Sequence, residues 1–352
     1  MDIDLTPTDE RIYREILCDF LPADIVDAHT HIWLRSAVLS RSNGNERNGL
    51  EPERTVSWPN LVAEDNAIDD LLETYRLLLP GKRVTPVVFG SPRQDIDLAA
   101  TNAYVSESAR SRALPSLLVS TPAWSAQDLE QRVLDGRFVG LKPYLSFAPP
   151  EIPPGEIAIY DYLPHSHLEV ADAHGWVVML HIPRPARLRD PVNVAQLLEI
   201  DRSYRNVRLI VAHIGRAYCS EDVGDALEVL GKGSSMSFDF SANTNAWVMK
   251  QLIRAVGPKR VLFGSDLPIL RMRMRRICEN GRYVNLVPPG LYGDISADPH
   301  MREVSPDEGE RLTFFMYEEL RAFRESAEAT GLTQADLGDV FHNNATRLFG
   351  HE

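Results

Sequence analysis

Eight short runs of apolar or β-branched residues, each bounded by turn residues, recur along the chain. They are IVDAHTHIW (25–33), RVTPVVFG (83–90), ALPSLLVST (113–121), FVGLKPY (138–144), WVVMLHI (176–182), VRLIVAHI (207–214), SSMSFDFS (234–241) and RVLFGSDLP (260–268). Between most of them lie segments with helical spacing, such as DIDLAATNAYVSESAR (95–110), SAQDLEQRVLDG (125–136), LEVADAHG (168–175), VNVAQLLEIDRSYR (192–205), SEDVGDALEVLG (220–231) and NAWVMKQLIRAVG (245–257). Strands that alternate with helices demand right-handed crossovers and a parallel sheet, and eight such units predict a closed (β/α)8 TIM barrel of the α/β class. Near-continuous Val, Ile and Leu in WVVML and VRLIVA fit strands covered on both faces.

The rhythm breaks twice, after the first strand and after the eighth. The first break holds RSNGNERNG (41–49), polar and expected to be mobile, and then the helical IDDLLETYRLLLPG (68–81); the second holds RMRMRRICENGRYVNLVPPGLYGDISADPHMREV (271–304). Both leave the C-terminal ends of barrel strands, so residues 34–82 and 269–304 are expected to be lids over a site. A length of 352 residues suits one large barrel or two ordinary domains. With no Pro/Ser linker and no further repeat, the reading is one domain over 1–352, with an N-terminal extension over 1–24.

At the C-terminus, SPDEGERLTFFMYEELRAFRESAEATG is expected to be one long helix, capped by Ser305, Pro306 and Glu308 and stopped at Gly331. Thr333 and Asp336 repeat the capping box, and Asn344 is expected to cap ATRLFG.

A formal net charge of −13 argues against a nucleic-acid partner, RMRMRR being a local basic exception. No stretch is long and apolar enough to span a membrane, and the N-terminal MDIDLTPTDERIYREIL is acidic and amphipathic, so a cytoplasmic enzyme is expected. Cys18, Cys219 and Cys278 are far apart and in no metal or redox spacing, and are expected to be free thiols.

The chemistry lies in the polar residues that interrupt the strands. Residues two apart on a strand share a face, so His29 and His31 project together, with Asp27 expected below them on the same face. His181 and His213 end the fifth and sixth strands, and Asp266 follows the eighth. Strand ends converge at one mouth of a barrel, and imidazoles held side by side there suit a metal ion. A lone histidine at the end of an apolar strand is more often a packed core residue; a structural explanation would have to cover all five residues separately.

The H-x-H of the first strand, the single histidines on the fifth and sixth, the aspartate after the eighth and the terminal NNATRLFG together resemble the amidohydrolase superfamily. Within it they look like the amidohydrolase 2 branch, which includes aminocarboxymuconate semialdehyde decarboxylase, resorcylate-type decarboxylases and dicarboxylate lactonases. The likeness runs from about Ile25 to Gly350, and the two insertions stand outside it. It implies metal ligands His29, His31, His181 and Asp266, catalytic proton transfer by His213 or Asp266, and a single divalent ion, zinc first with manganese or iron as alternatives. It also suggests a homodimer.

Lys142 ends the fourth strand. Other amidohydrolases carboxylate a lysine here to bridge two metals; the alternatives are an ammonium that positions charge, and a structural role. Metal-dependent nucleases that share H-x-H usually carry glutamate there, so lysine counts against them.

Lys142, Tyr144, Arg184 and Arg271 are the expected substrate-binding residues, for a small and possibly carboxylate-bearing molecule. The other arginines of RMRMRR, Arg273, Arg275 and Arg276, are expected to be mostly solvated lid residues. Asp239 and Asn243 end the seventh strand and, like Tyr144 and Arg184 at their strand ends, are expected to face the mouth. His165 and His167 repeat H-x-H where a helix is expected, so they diverge and are rejected as ligands; His174, His300 and His342 read as surface or packing residues. The activities implied are hydrolysis of a small ester, lactone or amide by activated water or, as the alternative, non-oxidative decarboxylation of an aromatic or unsaturated acid; a scaffold that has lost activity is the remaining reading.

Overall fold

The computed structural model describes residues 3–39 and 62–350, so the RSNGNERNG segment and the rest of 40–61 lie outside the described residues. All eight expected strands form: β1 (Asp24–His31), β2 (Arg83–Phe89), β3 (Leu117–Ser120), β4 (Gly140–Pro143), β5 (Val177–Leu180), β6 (Arg208–Val211), β7 (Ser237–Asp239) and β8 (Val261–Leu262). Every neighbouring pair is parallel, in a two-stranded β1–β2 sheet and a six-stranded β3-to-β8 sheet. Isolated parallel bridges join the edges, Val88 to Ser116 between β2 and β3 and Thr30 to Leu267 between β1 and the segment after β8. The strands are thereby ordered round a (β/α)8 barrel.

Helices follow the strands where the 3.6-residue spacing placed them: α1 (Pro7–Ile12) precedes the barrel, then α2 (Ile68–Leu78), α3 (Leu98–Ser111), α4 (Ala126–Gly136), α5 (His165–His174), α6 (Pro191–Ser203), α7 (Ala226–Gly233) and α8 (Ala246–Val256). The barrel interior is a separate apolar cluster drawn from most of the strands, including Val26, Val87, Val119, Val177, Ile210 and Leu262, with Ala345 and Phe349 of the C-terminal helix packed into it. The SEDVGDALEVLG segment splits, a 3-10 turn at Ser220–Asp222 standing apart from α7.

The insertion after β8 forms a small three-stranded sheet, with β9 (Arg275–Glu279) antiparallel to β10 (Arg282–Val287) and β11 (Met301–Glu303) parallel to β10. It accounts for one correction. The expected single C-terminal helix is two, α9 (Pro306–Gly309) and α10 (Phe315–Thr330). Residues between them pair with the insertion instead: Phe315 N–H donates to Met272 O (2.7 Å), Met274 N–H donates to Thr313 O (3.0 Å), and Arg273 bridges Phe314. These tertiary backbone bonds outcompete helix continuation. The capping boxes at Ser305/Glu308 and Thr333/Asp336 form, the second opening α11 (Gln334–Gly338).

Asn344 is not a cap. It lies inside the turn that runs into α12 (Asn344–Phe349), and its amide donates to Pro258 O (2.8 Å) and Val261 O (2.9 Å), fastening that helix to β8.

The cysteine reading is also corrected. Cys219 and Cys278 form a disulfide with Cα atoms 5.8 Å apart, joining the loop after β6 to β9, and Cys18 stays free. The partners are 59 residues apart, so only the fold brings them together. A lasting disulfide sits uneasily with a reducing cytoplasm. Among the described residues no helix is long and apolar enough to cross a membrane.

Candidate metal centre

The local backbone of β1 decides which side chains reach the mouth. Its pairing with β2 shifts register between Asp27 and Thr30, so one extra residue enters the strand and alternation is broken. Ala28 packs with Val26 in the interior cluster, and His29 and His31 both turn to the mouth, against Phe89 (ring centroids 5.1 and 4.6 Å). Asp27 therefore does not lie below the histidines. It accepts from Tyr75 Oη of α2 (2.7 Å) and from Ser265 N–H (2.8 Å), and burial pushes its carboxyl up to about 7.

His29, His31 and Asp266 form a cluster whose ligand atoms lie within 4.8 Å of one another, and His29, His213 and Asp239 form a second. Asp266 Oδ1 stands 3.2 Å from His31 Nε2 and 3.5 Å from His29 Nε2. Asp266 holds a left-handed φ of +52°, and its N–H donates to His29 O (2.7 Å). The close approach needs Gly264, since a Cβ there would stand 2.7 Å from His29 Cβ.

Each of three imidazoles spends its Nδ1 on an outer acceptor. His29 Nδ1 meets Asp239 Oδ2 (3.0 Å), His31 Nδ1 meets Gly90 O (3.0 Å), and His213 Nδ1 meets Ser241 O (3.1 Å). Such bonds fix the tautomer and leave Nε2 as the basic nitrogen, as metal-ligating histidines require. Asp239 is the hub, because its Oδ1 also accepts from His213 N–H (2.9 Å) and Ser241 N–H (3.1 Å). His181 lies one step out, its ring 5.3 Å from that of His213 and 4.7 Å from that of Tyr144, and its buried Nδ1 has no hydrogen-bond partner among the described residues.

The protonation states suit a cation. Burial lowers His29 to about 4, drives His181 well down and lowers His213, so these imidazoles are neutral at pH 7. Burial alone would raise Asp266, but the His31 hydrogen bond and the neighbouring imidazoles hold it down to about 2. Asp239, where burial also opposes ionisation, is held low by His29. Neutral imidazoles converging on an ionised carboxylate are the donor set of a divalent ion, and the residues present fit one.

Lys142 is wholly buried, with Nζ 5.4 Å from the Phe89 ring centre and 5.6 Å from that of Tyr144. Burial lowers it to about 8 against the pull of Asp239 and Asp266, and Nζ has no hydrogen-bond partner among the described residues. Arg184 is not brought into this group. Its Nε donates to Asp190 Oδ2 (3.2 Å) and its Nη1 to Glu156 O (3.1 Å), which holds it on the loop leading into α6. Arg271 is buried in the turn after β8; burial lowers it to about 10, and its charged neighbour is Asp70 of α2. Arg273 pairs with the buried Asp9 (2.7 Å), and Arg276 lies over Tyr218 and Tyr283, each at 4.6 Å, so neither is a solvated lid residue.

Sequence reasoning passed over Asp239 as a hub and over Arg216, Tyr218 and Tyr283. A carboxylate between Phe238 and Phe240 in a buried run is itself a signal, since it has to find a partner inside. Arg216 and Tyr218 follow β6 and Tyr283 lies on β10 of the insertion, and no local pattern encodes the approach of these two segments.

A family model described as amidohydrolase matches residues 26–351. No curated protein matches the chain. Among solved structures, a zinc-bound amidohydrolase from Burkholderia multivorans is 15% identical over 94% of this chain and 100% of its own, with a TM-score of 0.55. A probable 2-pyrone-4,6-dicarboxylic acid hydrolase from Acinetobacter baumannii is 13% identical over 93% and 99%, with a TM-score of 0.52. A dihydroxybenzoic acid decarboxylase from Polaromonas sp. JS666, with bound manganese and 2-nitroresorcinol, is 14% identical over 94% and 97%, with a TM-score of 0.52.

Proposed function

The chain belongs to the amidohydrolase family, and from that membership and its barrel mouth we propose a metal-dependent hydrolase of a small ester, lactone or amide. The carrying observation is that His29, His31 and His213 each commit Nδ1 to a fixed acceptor around the ionised Asp266. His29, His31, Asp266 and His181 would hold one divalent ion, zinc first. When bound, such an ion acidifies a water toward a pKa of about 7 and polarises a substrate oxygen.

The chain's own groups do the rest. Asp239 holds the His29 ring through one oxygen and the His213 backbone through the other, which ties both residues to the end of β7. His213, neutral and basic at Nε2, takes a proton from the attacking water or passes one to the leaving group, with Asp266 as its partner. Lys142 and Tyr144 orient the substrate, the ammonium drawing a carboxylate toward the mouth. The buried ammonium also favours the second reading, decarboxylation of an aromatic or unsaturated acid, which the similarity to a decarboxylase supports. A homodimer acting on a small molecule is part of the proposal, and the Cys219–Cys278 disulfide speaks against a reducing compartment for it.

The test is a panel of lactones, esters and carboxylated aromatics with the metal-loaded protein. Proton release without CO2 supports the hydrolase. CO2 from a carboxylated aromatic moves the assignment to the lyase, and a protein that binds no zinc, manganese or iron overturns both.

A further inference from the structure

We infer that the hydroxyl of Ser241 positions the proton-moving imidazole: it joins the Asp239 carboxylate to the His213 ring, so that Asp239 steadies the metal ligand His29 directly and His213 through a serine. The inference rests on the proposed function in taking His213 as the proton carrier. It divides the cluster into a part that holds the ion and a part that serves turnover.

Ser241 comes two residues after Asp239, the last residue of β7, and the carboxylate draws the chain back on itself. Asp239 Oδ1 accepts from the Ser241 N–H (3.1 Å), the turn an aspartate makes with the residue two further on. The serine side chain is thereby kept among the histidines, wholly buried like Asp239 itself. It is packed so closely that a Cβ at Gly264 would stand 3.3 Å from Ser241 Cβ.

In that position its Oγ meets three groups at once. It bonds to Asp239 Oδ1 and stands 2.9 Å from His213 Nδ1 and 3.3 Å from His29 Nδ1. A hydroxyl has one proton to give, and the neighbours decide where it goes. His213 Nδ1 also lies 3.1 Å from the Ser241 carbonyl oxygen, which can only accept, so Nδ1 carries the proton of that bond. The hydroxyl therefore accepts from His213 as well, and its own proton goes to Asp239. This leaves the lone pair of the His213 ring on Nε2, the nitrogen that exchanges protons at the mouth.

The two rings do not depend on Ser241 equally. His29 Nδ1 has a carboxylate oxygen of its own, Asp239 Oδ2 at 3.0 Å, and only a longer approach to the hydroxyl. His213 Nδ1 bonds to no carboxylate among the described residues; Asp239 reaches the ring through Ser241 Oγ, its other link to His213 being the backbone N–H (2.9 Å). A row of imidazole, hydroxyl and carboxylate polarises along its length. When Nε2 of His213 takes a proton, Nδ1–H leans harder on the hydroxyl and the hydroxyl on Asp239, with no bond broken at either. The positive charge on the ring is thus steadied by a carboxylate that Nδ1 does not touch.

The test reads which ring nitrogen carries the proton, from 15N spectra of the full chain labelled at histidine, metal-free and zinc-loaded, with His213→Gln identifying the His213 signals. Wild type is expected to carry it on Nδ1. Ser241→Ala is expected to speed exchange of that proton with solvent about fivefold or more, while the His29 proton changes by less than about twofold. Zinc affinity should stay within about threefold, whereas Asp239→Asn, which takes the carboxylate from His29 itself, should lose about 10- to 100-fold. On whichever ester or lactone is turned over, Ser241→Ala should lower kcat about three- to tenfold with KM within about twofold. A proton on Nε2 of wild-type His213, a His213 signal or a kcat indifferent to Ser241→Ala, or a loss of zinc as large as that of Asp239→Asn each overturns the inference. The wild-type spectrum decides the first of these without any variant. If the wild type holds no metal, or turns over no member of the panel, the proposed function has failed, and the metal-free spectra still decide the role of Ser241.

Discussion

His29 and His31 share their spacing with His165 and His167, and the two pairs serve opposite ends. The first lies on a strand whose register shift turns both rings into the barrel mouth, 5.6 Å apart between centroids. The second opens α5, where residues two apart point away from each other. His165 Nδ1 meets Tyr204 Oη (2.7 Å) and its ring stacks on Tyr160, while His167 Nε2 meets Trp124 O (2.8 Å), which ties α5 to the loop before α4. Spacing alone has no chemical meaning. The backbone beneath it supplies the meaning.

The sharpest attack on this contrast is His31→Ala, expected to abolish metal content and turnover together, set beside His165→Ala, expected to keep both. Full turnover by metal-free His31→Ala would break the assignment. One step smaller, Asp239→Asn should lower metal affinity about 10- to 100-fold with the fold intact, because His29 loses the carboxylate that orients it. Metal titration checks this, and unchanged affinity would remove Asp239 as the hub.

Acid titration of the metal-free protein sharpens the electrostatic side. His29 protonates near 6.5 when unfolded and near 4 when folded, so below 6.5 the unfolded chain binds the extra proton and stability falls as pH drops toward 4. Asp266 adds loss of the same sign as pH falls from 3.8 toward about 2. Asp27, raised to about 7 by burial, acts oppositely between 7 and 3.8. The readout is therefore the stability difference between wild type and His29→Gln, which should shrink by up to a few kcal/mol as pH falls from about 6.5 to 4. A difference that grows instead would mean a charged imidazole.

Two smaller effects complete the series. Cys278→Ser should cost about 2–4 kcal/mol in denaturant unfolding, and the denatured, unreduced protein should show one thiol where the reduced protein shows three. Three thiols without reductant would restore the free-cysteine reading. His167→Ala should cost about 1–3 kcal/mol, from an unpaired Trp124 carbonyl, with metal content unchanged.

The strands and most helices were legible because their signals are local: apolar runs of strand length, helical spacing, and capping boxes such as Thr333/Asp336. The broken helix before Phe315 was not, since its competitor is the backbone of Met272 and Met274, about forty residues away. For the site, strand ends located His29, His31, His181, His213 and Asp266, yet Asp27 was placed on the wrong side, because a single bulge reverses every alternation argument beyond it. Arg184 failed for a related reason: three residues past a strand end is loop, and its direction follows the partner it finds, Asp190.

By itself, then, the order of residues determined the barrel and which strand ends carry ligand-type side chains, since both follow from short-range periodicity and from the convergence of strands in any closed parallel barrel. Tertiary structure alone decided that Asp239 steadies two imidazoles, that Cys219 meets Cys278, and that Tyr283 stands beside Tyr218. Those are meetings of segments tens or hundreds of residues apart. Nothing in a local pattern encodes such a meeting, because its free energy exists only once the intervening chain has packed.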